Sequence, residues 1–151
     1  FLEAFIRPGL EKERWGDRAN YVALNVVPTG PAEMSIYLRD LRYVLRTDGF
    51  ASIHAGAAQG EIITKRFRFE GKQLVANFST SAAGFVQMEI QTPDGSPLAG
   101  YKLEDCGEIV GDEIDRVVSW GGRTDLTGLA GRAIRLRVVL CDADLYSVQF
   151  N

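Results

Sequence analysis

Apolar and polar residues alternate along most of the second half of the chain. Leu74, Ala76 and Phe78 alternate with Val75 and Asn77, and Val86, Met88 and Ile90 with Phe85, Gln87, Glu89 and Gln91. Ile134, Leu136, Val138 and Leu140 alternate with Arg135, Arg137, Val139 and Cys141, and Tyr146, Val148 and Phe150 with Leu145, Ser147 and Gln149. A period of two puts every second side chain on one face of an extended segment, so each pattern predicts a strand with one face on a core. Apolar runs at 21–27, 34–38, 41–45 and 50–53 predict further strands. Asp48-Gly49 and Asp94-Gly95 carry the Asp-Gly pair that tolerates positive φ and marks a turn. Glu70-Gly71-Lys72, Ala83-Gly84, Gly121-Gly122 and Pro28-Thr29-Gly30-Pro31 are read as breaks of the same kind. Helical signal is confined to 11–15 and 125–131, each enough for one short turn. Strands at this density, without intervening helices, predict an all-β fold: an antiparallel, jelly-roll-like β-sandwich.

A soft boundary falls near residues 38–42. Before it, strands are joined by longer loops; after it, strands follow one another to the C-terminus. The expected division is 1–40, as edge strands or part of a neighbouring module, and 41–151 as the sandwich.

Composition narrows the classes of function. With 46% hydrophobic and 25% charged residues, the chain has the make-up of a globular protein, and 151 residues suffice for a core without disulfide staples. The net charge of −3 argues against a nucleic-acid partner, which calls for a basic face. The one short basic stretch, Lys65-Arg66-Phe67-Arg68, reads as a solvated strand with Lys65 and Phe67 on one side and Arg66 and Arg68 on the other. Two cysteines, Cys106 and Cys141, exclude a disulfide scaffold and a four-cysteine zinc site, and no spacing signals a bridge between them. No apolar run approaches the ~20 residues of a membrane helix, so no membrane partner is expected. Phe1-Leu2-Glu3-Ala4-Phe5 is neither a signal peptide nor a start, and reads as chain beginning within a strand of a longer or processed protein.

Candidate chemistry lies in acids and aromatics. Residues 104–115 hold six carboxylates, and Asp142-Ala143-Asp144 adds a pair. Asp105, Glu108, Asp112, Asp142 and Asp144 are candidate calcium ligands, because hard cations take several carboxylate and carbonyl oxygens. The spacing is not that of an EF-hand, and a solvated acidic loop with a capped turn accounts for the same residues. Glycoside hydrolysis uses two carboxyl groups about 5–10 Å apart, a distance that sequence does not supply. His54 is the sole histidine and no Gly-x-Ser-x-Gly elbow occurs, so no catalytic residue is assigned. Trp15, Tyr101 and Trp120 are candidate platforms for a sugar ring, each competing with a role in closing the core.

One resemblance extends this reading. Glu3–Gly9, Asn20-Tyr21 and Val26–Tyr37 resemble the end of the five-bladed propeller in bacterial glycoside-hydrolase-like proteins of the invertase and inulinase layout. Leu45–Ser52, Asn77–Gly84, Asp112–Trp120 and Asp142–Ser147 are similar to the C-terminal β-sandwich that follows that propeller. The resemblance implies a non-catalytic accessory module, secreted or periplasmic, whose partner is the catalytic propeller. A carbohydrate-binding module with a polysaccharide partner is the alternative, and a hydrolase built on the loop carboxylates the second. The family's catalytic carboxylates lie in earlier blades, and no residue here matches them.

Overall fold

Most of the expected strands form, and they pair antiparallel throughout; the run at 50–53 contributes only Ile53 to a strand. The computed structural model describes residues 5–7, 10–12, 21–38 and 41–151. Its strands are β1 (Val27–Pro28), β2 (Glu33–Leu38), β3 (Leu41–Arg46), β4 (Ile53–Ala55), β5 (Gly60–Ile63), β6 (Leu74–Gln91), β7 (Asp112–Val117) and β8 (Arg135–Phe150). Residues 48–151 add one short helix, α1 (Leu103–Cys106), and a 3-10 turn at Thr127–Leu129. The protein is thus all-β and sandwich-like, and no described helix is long and apolar enough to cross a membrane. Two compact units emerge, Phe1–Thr47 and Asp48–Asn151.

The first unit is a three-stranded sheet in the order β1-β2-β3. Met34, Ile36 and Leu38 lie opposite Leu45, Tyr43 and Leu41, which gives the sheet one apolar face. The other face is polar at its centre: Arg42 reaches Glu33 at 2.8 Å and donates Nε–H to Ser35 Oγ at 2.9 Å. The strand expected over 21–27 shrinks to a bridge at Val22 and the two residues of β1. Asn25, at φ 75°, accounts for the interruption, since that conformation leaves the extended region. Leu41–Arg46, assigned from sequence to the head of the sandwich, is hydrogen bonded to β2 and belongs to this first sheet.

The second unit is a five-stranded sheet, strongly curled, in which β8 and β6 form the centre, β7 pairs β6, and β4 and β5 both pair β8. Four strands expected from the alternation merge into two long ones. Ala83-Gly84 and Asp142-Ala143-Asp144, read as turns, are irregularities inside β6 and β8. Pairing passes from Thr80 opposite Ala143 to Phe85 opposite Cys141, so residues 81–84 face a single residue, Asp142. Gly84 is required there, because a Cβ at that position would stand 2.2 Å from the Asp142 carbonyl oxygen. Asp142 takes φ 43°. These bulges bend both strands at one level and curl the sheet around its core.

Bulging also explains the packing parity. Inward residues on β8 are even-numbered through Leu136, Val138 and Leu140, then odd at Ala143 and Leu145, as an extra residue demands. Leu74, Ala76, Phe78, Val86, Met88 and Ile90 of β6 face them in the same cluster, with Trp120, Leu126 and Leu129 from the connections. Phe69 stacks on Phe150 at 4.1 Å and holds the end of β8.

Candidate functional site

Of the aromatic candidates, Trp15 lies outside the described residues. Trp120 is a core residue. It starts a two-residue hairpin in which Trp120 and Arg123 exchange N–H···O=C bonds of 2.9 Å. Gly121 and Gly122, at φ 56° and 82°, occupy the two corners, as a type I′ turn needs. That turn aims the indole inward, where it is 2% exposed and donates Nε1–H to the Met88 carbonyl at 2.7 Å. No ring face is left for a ligand. Tyr101 is half-buried, edge-on to Trp120 at 5.5 Å, with the Arg123 guanidinium 5.3 Å from its ring centre.

The acidic candidates are spread over the second unit. Asp105 sits in the first turn of α1 and accepts the Lys102 backbone N–H at 3.1 Å. Glu108 follows the helix and is exposed. Asp112 begins β7 opposite Ser79, and Ser79 lies opposite Asp144 on its other side. Asp144 accepts Ser52 Oγ at 2.6 Å and sits 3.1 Å from His54 Nδ1. Asp142 occupies the bulge, its backbone N–H on the Gly56 carbonyl at 2.8 Å. Among the described residues no group of three or more His, Cys, Asp or Glu side chains is placed to hold a metal ion.

The strongest polar constellation joins Glu89 and Arg137, which alternation had marked only as outward-facing, to Glu61, which no pattern singled out. Glu89 on β6 lies opposite Arg137 on β8, and Arg137 lies opposite Ile63 on β5. Arg137 donates Nε–H and Nη2–H to Glu61 Oε2 at 3.0 and 2.8 Å, and its Nη1 stands 3.5 Å from Glu89 Oε1. Glu89 is only 4% exposed. Its Oε1 also accepts Gln91 Nε2–H at 2.8 Å, and Oε2 accepts the Leu103 N–H at 3.4 Å. Gln87 returns a bond to the Leu103 carbonyl at 3.3 Å. These bonds fasten the start of α1 over the outer face of β6.

The charges are matched to this burial. A carboxylate removed from water needs a cation and donors, and Glu89 has both. The hydrogen bond to Glu61 holds the Arg137 guanidinium even more firmly protonated than usual, with the charges of Glu61 and Glu89 adding to it against partial burial. Cys106, at the end of α1, is a free thiol whose pKa is raised by burial, opposed by the Met88 N–H that its Sγ accepts. The arrangement clamps a helix to a sheet; both carboxylates are committed to Arg137. Sequence displayed these residues, but their register across three strands was not written in any local pattern.

No protein-family model matches the chain, and no curated protein or solved structure matches it.

Proposed function

We propose that this chain is a non-catalytic accessory β module of a glycoside-hydrolase-like protein, docking on the catalytic module through its first sheet. One observation carries the docking: the first unit keeps many apolar side chains exposed, among them Val27, Tyr37 and Val44 on the face of the sheet opposite Ile36 and Leu38. Ile36 and Leu38 are buried, yet Leu41 is 45% exposed and Leu24 90%. Three strands become stable when an apolar face packs against another layer. The second unit supplies a separate, closed core and acts as the rigid support. The kind of partner rests on the resemblance of residues 3–37 to the end of a propeller, and so does a secreted or periplasmic setting.

The test mixes the full chain with the catalytic propeller module of its parent protein and measures association by calorimetry. Binding should occur, should be lost in Leu41→Asp, and should be absent for residues 48–151 alone. Equal binding by residues 48–151, or turnover of aryl glycosides by the chain itself, would sink the proposal.

A further inference from the structure

Next to the Glu61–Arg137–Glu89 clamp, an open groove of about 720 Å³ is lined by Ile63, Thr64, Lys65, Arg66 and Arg135. Arg135 lies one period before Arg137 on β8, opposite Gln91, and so shares its face of the sheet. The two arginines meet opposite fates. Arg137 is answered by two carboxylates. Arg135 has none, and its Nε is buried without a hydrogen-bond partner. Lys65 and Arg66 likewise have no ion pair or side-chain hydrogen bond among the described residues.

A buried donor without an acceptor in the protein calls for an explanation, and it leaves Arg135 able to bond an ion or ligand in the groove. Three cations sharing a groove repel one another unless an anion neutralises them, and this clustering occurs in a protein of net charge −3. The wall of the groove is fixed in place. Thr64 exchanges two bonds with Leu136, N–H to carbonyl at 2.9 Å and Oγ1 accepting the Leu136 N–H at 2.9 Å. That pairing brings the basic stretch after β5 alongside Arg135.

We propose that this groove binds an oxyanion group, a sulfate, phosphate or carboxylate, with Arg135 as the central donor and Lys65 and Arg66 flanking it. The planar guanidinium fork matches two oxygens of such a group, and Lys65 adds a mobile point charge. The groove exceeds the size of a bare ion, and Ile63 offers an apolar wall. It therefore fits an acidic substituent on a ring-sized ligand, such as a uronic acid or a sulfated sugar. This site is independent of the docking sheet and stands or falls separately from the accessory role.

The test is an amide chemical-shift titration of the full chain with sodium sulfate, phosphate and glucuronate, each against sodium chloride of equal ionic strength. Saturable shifts should localise to residues 63–66 and 135. Arg135→Gln should weaken binding at least ~10-fold, the loss of a charge-assisted pair, while Arg116→Gln on β7 leaves it unchanged. Tighter binding of glucuronate than of the inorganic ions would identify a sugar carboxylate; parity or the reverse would identify a sulfate or phosphate. Circular dichroism checks that Arg135→Gln folds, and the double variant Lys65→Ala/Arg66→Ala decides the matter if it does not. Shifts that chloride reproduces, or affinity unchanged in these variants, would overturn the proposal. So would a tenfold preference for a single-stranded oligonucleotide, which would assign the cations to nucleic acid.

Discussion

The two units are built from the same element, an antiparallel sheet with one apolar face, and they differ in how that face is covered. The second unit curls its sheet on two long bulged strands and buries nineteen hydrophobic residues in one cluster. The first unit has short strands by comparison, and only Ile36 and Leu38 of its apolar residues are buried among those described. The lesson concerns where stability resides. A sheet that closes on itself supplies its own second layer; a three-stranded sheet has to find one elsewhere.

This contrast breaks most readily at Trp120. Trp120→Ala should cost the second unit about 3–5 kcal/mol, since it opens a large cavity and leaves the Met88 carbonyl without its donor. Urea denaturation of the full chain, followed by tyrosine fluorescence and circular dichroism, measures this. A loss below about 1 kcal/mol would mean that the indole does not anchor the core.

The bulges are the next target. Gly84→Ala places a methyl group against the Asp142 carbonyl, where 2.2 Å is available, and the strands must part. The expected loss is about 1–3 kcal/mol, read as a lower urea midpoint. An unchanged midpoint would show that the curl does not depend on this close approach.

How much of this was legible in sequence follows from the same residues. Period-two alternation located β6 and β8 because burial on one face forces it. Continuity was not legible: a glycine next to an alanine reads as a turn, and the close approach that makes it a bulge involves Asp142, far along the chain. Trp120 was seen at a strand end, but its inward direction depends on the Gly121-Gly122 corner and on a free carbonyl at Met88. The acids were conspicuous by their density, yet Asp105 serves a helix start and Asp144 a serine and a histidine. Glu89 and Arg135 were inconspicuous, since the arginine that answers Glu89 and the stretch beside Arg135 lie on distant segments of the chain.

The clamp offers an internal control. Glu89→Gln removes a carboxylate whose side chain is 5% exposed, and Glu61→Gln one that is 51% exposed, from the same arginine. The first should destabilise the second unit by about 1–3 kcal/mol and loosen α1. The second should stay within ~1 kcal/mol, as surface pairs do. Thermal melts of the two variants check the order, and a larger effect at Glu61 would place the energetic centre of the clamp at the surface.

The smallest expected effect is on acid stability. Hydrogen bonds from Thr92 lower the pKa of Asp94, and those from Thr127 lower that of Asp125, both below the usual 3.8. A depressed folded-state pKa means that stabilisation is present above the unfolded value and is lost as pH falls through the folded one. The melting temperature should therefore decline below about pH 4, and Asp94→Asn/Asp125→Asn should flatten that decline. An identical decline in the double variant would remove these two turns from the acid response.

The central claim is that the second unit is stable by itself while the first sheet, which keeps Val27, Tyr37, Leu41 and Val44 exposed, gains its stability from a docked partner. Native-state amide hydrogen exchange on the intact chain tests it directly. Amides of β6 and β8, at 74–79, 86–91 and 135–140, should exchange only through global unfolding, and those of β2 and β3 should exchange faster by several orders of magnitude. Equal protection across both sheets would contradict the account.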